Sequence, residues 1–278
     1  MSKIEKNLIH YVEAEPGQLE CVINLRELLP ADRERERFEA MWQSFLDSDP
    51  ANLDIYRKDG NRLVYLTEQL IPTKTNDRCP LLLVLGNPAS HSVKAGMFFS
   101  FESGGREHRF WKNILRPTGV LDLALEDSLP VEERNVSRRE RILNLDYDSC
   151  FCIGLTVFIS MPSAASGKWS GIAAIKRLIG LKALRRLESY ERERVIDCAK
   201  VFLGHRGAVV AFQKNAWDNL RSPSAPEYSI AKAKAGKLKG TLANLSSIPL
   251  YCIPPTRLAG PARQVLNNFF PNTKFHEL

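Results

Sequence analysis

The stretch LLLVLGNPASHS, residues 81–92, contains five consecutive aliphatic side chains followed by Gly-Asn-Pro. An uninterrupted aliphatic run of this length is typical of a strand buried on both faces of a parallel sheet. Proline cannot donate to the hydrogen-bond ladder of a strand, so the strand is expected to end before Pro88. It would therefore deliver Asn87, with little backbone freedom, to one edge of the sheet.

Three more apolar runs follow, and helix-like segments separate them. A charged stretch, residues 125–141, leads to the second run. Alternation of strand and helix predicts parallel βα units with helices on both faces. We therefore expect a three-layer α/β/α fold with a four-stranded, mainly parallel central sheet. Ligands bind such sheets at the carboxyl ends of the strands. The runs are CFCIGLTVFI (150–159), GAVVAF (207–212) and IPLYCIP (248–254), and the helix-like segments are residues 106–119, 172–180, 189–205, 213–221 and 259–270.

The residues before the first predicted core strand show a different sequence pattern. Residues 31–47 place apolar side chains at helical spacing, which predicts a surface helix with one apolar stripe. Residues 53–70 contain two strand-like runs around Asp59-Gly60, a hairpin signal. We expect residues 1–78 to form a helix–hairpin extension packed on a core domain of residues 79–278.

Composition limits the class of protein. A hydrophobic content of 44% and a charged content of 26% over 278 residues are ordinary for a globular protein. The apolar runs are far shorter than the roughly 20 residues that a membrane-spanning helix needs. Met1–Asn7 is polar and has no hydrophobic signal region, so we expect a cytoplasmic protein without a membrane partner.

The cysteines and histidines do not favour a metal site. Cys150 and Cys152 are the only close pair among the six cysteines, and no second pair completes a four-ligand set. The five histidines make no pair at metal-ligand spacing. We therefore expect reduced thiols, no metal and no cofactor. No feature of the sequence indicates an obligatory protein partner.

The charge balance leaves the partner open. The net charge is +7, which favours an anionic partner such as nucleic acid, although many basic proteins bind none. Residues 222–247 are rich in Pro, Ser and Ala and carry four closely spaced lysines, including Lys237 and Lys239. This segment is interpreted as a mobile loop that is either solvated or in contact with phosphates.

A longer stretch resembles a known family. VLGNPASHSVKAGMFFSFESGGREHRFWKNIL, residues 84–115, is similar to the first signature block of the uracil-DNA glycosylase superfamily. The similarity is greatest to its mismatch-specific uracil/thymine-DNA glycosylase branch. That block is a strand ending in Gly-x-Asn-Pro-Gly, a Gly-x-x-Phe loop, and Asn-[His/Arg]-Phe-Trp-Lys at a helix start. Asn87-Pro88, Gly96 with Phe99, and residues 108–112 fall in this order.

Three later segments resemble the remaining blocks of that superfamily, so the resemblance covers about two thirds of the chain. It implies a monofunctional, metal-free DNA glycosylase that flips out a damaged base, uracil or a related lesion, from duplex or single-stranded DNA and hydrolyses its N-glycosidic bond. The segments are CIGLTVFISMP (152–162), GAVVAFQKNAWDNL (207–220) and PLYCIPPTRLAG (249–260).

The resemblance also implies roles for individual residues. Asn87 would hold the attacking water, and Phe99 would stack on the extruded base. Thr256 would contact the DNA backbone, and Arg257 and Leu258 would fill the hole in the duplex. Further substrate contacts are expected from Gly86, Pro88 and Thr156, and further DNA contacts from Lys237 and Lys239.

Other interpretations stay open. Asn87 could simply be a turn residue before a proline. Phe98 and Phe101 compete with Phe99 for the stacking role, and at least one of the three must be core. The chain also departs from the family pattern at Pro254, where relatives carry Asn or His, and at Ala89, where they carry Gly. The alternatives are a non-catalytic nucleic-acid-binding protein on the same fold and an enzyme that acts on a free nucleoside or base.

Overall fold

The structure is a computed structural model that describes residues 8–74, 76–102, 104–123 and 128–270. The polar segment Met1–Asn7 and residues 125–127 of the charged stretch lie outside these ranges. The chain divides into two compact units. The first comprises the described residues of Met1–Gln69, Gly86–Phe98 and Val157–Glu193, and the second those of Leu70–Leu85, Phe99–Thr156 and Arg194–Leu278.

The strands of the first unit are antiparallel. Strand β2 pairs with both β1 and β4, and β3 pairs with β4 across the predicted hairpin, where Asp59 lies opposite Arg62. Strands β1 and β2 were not predicted. Most of β1 is exposed and carries charges, so it lacks the apolar alternation that identifies a strand. The bounds are β1 Ile9–Glu15, β2 Gln18–Asn24, β3 Tyr56–Asp59 and β4 Arg62–Leu70.

The apolar stripe predicted for residues 31–47 is confirmed. Helix α2 spans Asp32–Leu46, and its Phe38 and Phe45 are buried. Trp42 stacks against both, with ring centroids 5.2 and 5.8 Å away. The other helices with residues in the first unit are α1 Leu25–Leu28, α3 Asn52–Ile55, α4 Ser90–Lys94, α7 Gly171–Ile179 and α8 Leu181–Leu203.

The second unit contains all four predicted core strands. Strand β5 pairs with β7 and β7 pairs with β9, both in parallel, and β6 lies beside β5. A fifth strand, β8, is antiparallel to β9 and lies in the segment predicted to be a loop. The described residues form nine strands in all, whereas a four-stranded core sheet and a two-stranded hairpin were predicted. The bounds are β5 Cys79–Leu85, β6 Phe151–Val157, β7 Ala208–Ala211, β8 Lys239–Leu242 and β9 Leu245–Cys252.

Close packing at the start of β7 requires glycine. Gly207 has a φ of +87°, and a Cβ there would lie 1.9 Å from the carbonyl oxygen of Pro80. No side chain fits at that distance, so Gly207 allows β7 to begin directly against β5.

The charged stretch before β6 contains a helix, α6, that the sequence pattern did not reveal. Its buried face includes Arg134, Asn135 and Arg138, so apolar periodicity is missing. In the predicted helix of residues 106–119, the first part is a π-helix, Phe110–Leu115. The remaining helices are α5 Arg116–Thr118, α6 Val131–Leu143, α9 Lys214–Leu220, α10 Ile230–Lys234 and α11 Ala259–Phe269. No helix among the described residues is long and apolar enough to span a bilayer.

Candidate active site

Asn87 lies directly beyond the end of β5, in the first unit. The carbonyl oxygen of the preceding Gly86 accepts hydrogen bonds from the N–H groups of Phe158 and Ile159, at 3.0 and 2.9 Å. Gly86 and Pro88 are buried, whereas Asn87 is half-buried. Asn87 therefore lies between two buried residues of the loop after β5, and its own side chain is partly accessible from the surface.

The side-chain amide of Asn87 has a defined orientation. Its Nδ2 donates to Ser163 Oγ at 2.9 Å and to the carbonyl oxygen of Met161 at 3.3 Å. A carbonyl oxygen can only accept, so the amide nitrogen must face Met161. No described residue donates to Asn87 Oδ1. The result is a half-buried carbonyl oxygen, fixed in direction, that can accept a hydrogen bond from a water or a ligand.

Ser163 holds this arrangement together. Its buried hydroxyl accepts from Asn87 Nδ2 and from the N–H of Gly171, both at 2.9 Å. Its backbone N–H donates to Pro88 O at 3.1 Å, and its carbonyl accepts from Ser90 N at 2.9 Å. Sequence reasoning missed Ser163, because a serine in a small-residue loop gives no local signal for a contact 76 residues away.

A buried polar network supports the loop that carries Ser163. Ser160 donates to Glu191 Oε1 from its backbone N–H, at 2.6 Å, and also from its hydroxyl. Tyr11 donates to the other carboxylate oxygen at 3.1 Å. Tyr65 OH lies 2.7 Å from Ser160 Oγ, and Thr67 Oγ1 donates to Ser160 O at 2.7 Å. Burial raises the pKa of Tyr65 well above its ordinary value, so its hydroxyl stays protonated and available as a donor.

Phe99 is the partly exposed member of the three phenylalanines considered for stacking, because Phe98 and Phe101 are buried. Its φ is +46°, which is strained for a residue with a side chain. Trp111 Nε1 donates to Phe99 O at 3.0 Å. The Phe99 ring stacks on His108 with a centroid distance of 4.5 Å and an interplanar angle of 11°. His108 was given no role by the sequence, yet it already covers part of the predicted stacking surface.

The ring cluster of the second unit contains a buried guanidinium group. Arg138 is 1% exposed, and its Cζ lies 4.4 Å from the ring centroid of Phe101 and 4.7 Å from that of Trp111. Arg138 Nη2 forms a short ion pair with Glu107, whose Oε1 also accepts from Arg116 at 3.0 Å. Burial lowers the pKa of Arg138 to about 10, against the opposing effect of the Glu107 carboxylate. Trp111 is 3% exposed, as expected for a packing residue.

Thr156 is fully buried within β6, and its hydroxyl accepts from Arg194 Nη1 at 3.1 Å. This environment ties Thr156 to the interior of the second unit. A direct substrate contact would therefore require access that the side chain lacks.

Thr256, Arg257 and Leu258 form the turn before α11. Leu258 N donates to Pro255 O at 2.8 Å, Arg257 is exposed, and Thr256 and Leu258 are half-buried. The helix begins at Ala259, as predicted. The preceding Pro254 is buried and has no N–H to offer a ligand.

Lys237 and Lys239 are both exposed. Lys239 opens β8, and its Nζ lies 4.9 Å from the ring centroid of Phe269 on α11. The predicted mobile loop is thus partly ordered by α10 and β8, while both lysine side chains remain at the surface.

The described part of the chain contains no group of three or more His, Cys, Asp or Glu side chains that could hold a metal ion. What it does contain is a fixed amide in the first unit, and a strained aromatic residue and a basic surface loop in the second. No protein-family model matches this chain, and comparison with curated proteins found no match either. A functional assignment therefore rests on the residues and geometry described above.

Proposed function

We propose that this chain is a monofunctional DNA glycosylase of the uracil-DNA glycosylase type, with the corresponding three-layer α/β/α core. The observation that supports this most strongly is the fixed amide of Asn87. Its Nδ2 is committed to Met161 O and Ser163 Oγ, which leaves Oδ1 as an acceptor without a partner among the described residues.

An oriented amide oxygen suits a reaction that needs a positioned water more than a strong base. In hydrolysis, the water oxygen forms a bond to C1′ of the sugar as the bond from C1′ to the base nitrogen breaks. The bonding electrons leave with the base, which is then protonated, while the water gives up a proton to solvent. Asn87 would orient the water by accepting one of its hydrogen bonds, and the gain comes from positioning.

The other proposed roles concern recognition. Phe99 would stack on the extruded base, which requires His108 to leave the Phe99 face that it now covers. Thr256, Arg257 and Leu258 would contact the DNA, with Arg257 already exposed. Lys237 and Lys239 would contact phosphates.

One observation favours a second candidate, a non-catalytic DNA-binding protein. Pro254 is buried at the position where the resembling family carries a polar residue, and it can neither donate a hydrogen bond nor contact a base edge with its side chain. A chain that kept the basic surface but lost this contact would bind DNA without turnover.

The test uses duplexes that each carry one uracil, hypoxanthine, thymine mismatch or ethenocytosine, followed by alkaline strand cleavage. We expect the wild type to release one of these bases and Asn87→Ala to be slower by about 100-fold or more. Asn61→Ala is the matched control, because Asn61 is exposed in the β3–β4 turn and makes no described side-chain hydrogen bond. Asn87→Asp should not rescue activity, because a carboxylate would face the Met161 carbonyl without a proton to donate.

Excision that is unchanged in Asn87→Ala would refute the role of this residue. Absence of excision from all four duplexes, with salt-sensitive DNA binding intact, would favour the non-catalytic candidate. Hydrolysis of a free nucleoside, insensitive to salt, would instead indicate a nucleoside hydrolase.

A further inference from the structure

The charge distribution of the first unit contains a long acid-free segment. Between Asp148 and Glu188 the chain has no Asp or Glu, but it has six Lys and Arg residues. These six are Lys168, Lys176, Arg177, Lys182, Arg185 and Arg186. The segment includes α7 and the start of α8. Arg186 pairs with Glu34 at 3.5 Å, and the other five cations have no ion-pair partner among the described residues, so an excess of positive charge remains here.

A groove of about 350 Å³ lies at this basic segment. It is lined by Arg37 of α2, by Ala173, Lys176 and Arg177 of α7, and by Leu181 at the start of α8. Its three cationic side chains have no acidic neighbour in the lining. Lys182 and Arg185 are exposed on the adjoining turn of α8 and extend the positive surface beyond the groove.

Two of the lining cations are positioned by the fold. Arg37 Nη2 donates to Arg177 O at 2.9 Å. Gly180 leaves room for Arg37, because a Cβ there would lie 3.3 Å from Arg37 Nη1. Arg177 Nη1 donates to Lys168 O at 3.0 Å, and its guanidinium lies over Trp169. Lys176 is exposed and has no ion-pair partner among the described residues.

The helix dipole explains only part of this arrangement. Lys176 and Arg177 lie in the last turn of α7, where cations interact favourably with the helix dipole. The bond from Arg37 to Arg177 O satisfies a carbonyl in the last turn of α7, which explains why Arg37 lies there. Neither effect accounts for the unpaired Lys176 or for a run without acids that extends from β6 into α8. A binding role for an anionic partner accounts for both.

We propose that this groove, lined by Arg37, Lys176 and Arg177, binds the phosphate backbone of duplex DNA. The inference rests on the proposed function, since it adds a second DNA contact surface for the same substrate. An extended row of cations suits a polymeric polyanion better than a single small anion. The groove lining contains no aromatic side chain, and the nearby Trp169 is 6% exposed. Single-stranded DNA sites combine cations with stacking platforms, so the backbone of a duplex fits this surface better.

The test compares two double variants that remove equal charge, both built in the Asn87→Ala background so that binding is measured without turnover. The groove variant is Arg37→Gln with Lys176→Gln. The matched control is Arg206→Gln with Lys200→Gln, because both of those residues are exposed and belong to the second unit. Duplex affinity is measured by fluorescence anisotropy over a series of salt concentrations, and thermal unfolding checks that both variants remain folded.

We expect the slope of log affinity against log salt to become less steep by about 0.9 for each lost phosphate contact, hence by about 1.8 for the groove variant. The control should keep the parental slope. Lesion-containing and lesion-free duplexes should be weakened equally, because backbone contacts carry no sequence information. Equal slopes in the two double variants would overturn the proposal. So would an equal loss of single-stranded DNA binding, or a loss of polyglutamate binding with duplex binding intact.

The two proposals can fail separately. Equal slopes in the two double variants, with normal base excision by the protein carrying Asn87, would refute the groove and leave the glycosylase standing. A clear difference in slope, with no excision by the protein carrying Asn87, would support the groove and refute the glycosylase.

Discussion

Two consecutive segments of the chain, residues 86–98 in the first unit and residues 99–115 in the second, hold their central residues by different means. Asn87 is fixed by hydrogen bonds to Ser163 and Met161, and its own backbone is unstrained. Phe99 has a left-handed backbone and is held by a bond from Trp111 and by ring contacts. Hydrogen bonds fix direction, whereas ring packing fixes position with more freedom to shift.

The difference bears on what each residue can do. An amide that orients a water must keep one direction, and a network of donors and acceptors provides it. A ring that receives a base must lose its present neighbour, and a stack of about 1 kcal/mol on His108 can be exchanged for a similar stack on a base. Residues 86–98 are therefore a rigid polar segment, and residues 99–115 are an aromatic segment whose ring contacts can be exchanged.

The largest expected effect tests the rigid segment. The fully buried carboxylate of Glu191 accepts hydrogen bonds from the N–H and the hydroxyl of Ser160 and from the Tyr11 hydroxyl, and Glu191→Ala removes all three. We expect the free energy of unfolding to fall by about 3 kcal/mol, because buried donors would be left unpaired. Urea denaturation measures this loss. Glu193→Ala, at an exposed site on the same helix, should change stability by less than about 0.5 kcal/mol. Similar losses at both sites would show that the network does not hold the segment.

A second buried carboxyl of the first unit provides the contrast. Glu68 Oε1 is buried and has no hydrogen-bond partner among the described residues, and burial raises the pKa of Glu68 well above its ordinary value. Above that ordinary value the folded state binds more protons than the unfolded state, so the free energy of unfolding falls as the pH rises.

Glu68→Gln removes this penalty. We expect the variant to exceed the wild type in stability by about 1 kcal/mol at about pH 7. The gain should shrink toward about pH 4, where the Glu68 carboxyl group is protonated in both the folded and the unfolded state. Denaturation at the two pH values measures the difference. Glu13→Gln, at an exposed site of β1, should show neither the gain nor its pH dependence. A gain of the same size at both pH values would contradict the assignment to burial.

An effect of similar size is expected in the strained aromatic segment. Because Phe99 has a positive φ, Phe99→Gly should be more stable than Phe99→Ala by about 1 kcal/mol, although both lose the ring. Phe98 is not among the residues with positive φ, so the same pair of substitutions there should give the opposite order. Equal stability of Phe99→Gly and Phe99→Ala would show that the backbone at Phe99 is not strained.

The elements that could be predicted from sequence are those with one strong local pattern. The aliphatic runs correctly indicated β5, β6, β7 and β9, and the apolar stripe indicated α2. Strand β1 and helix α6 were not predicted, because few positions of β1 are buried and most buried positions of α6 are polar. Neither segment therefore shows apolar residues at a regular spacing.

The candidate site divides in the same way. Asn87 could be located because a strand end and a proline mark it in the sequence. Ser163 and Glu191 could not, because each matters through a partner that the fold brings to it, and for Ser163 that partner is 76 residues away. His108 lies in the matched motif, but its stacking on Phe99 could not be predicted from it. Local patterns locate residues, but they do not reveal the contacts that orient them.

The π-helix before α5 affects how this chain can change in length. Its hydrogen bonds reach five residues along the chain, so each hydrogen-bonded ring encloses one residue more than in an α-helix. Deleting one of these residues would convert the wide turn to an α-turn, and the side chains beyond it would keep their present faces. Deleting a residue from an α-helix instead rotates every later side chain by about 100°. Exposed Lys112 and Asn113 are the residues that could be lost in this way, because Ile114 and Leu115 are buried.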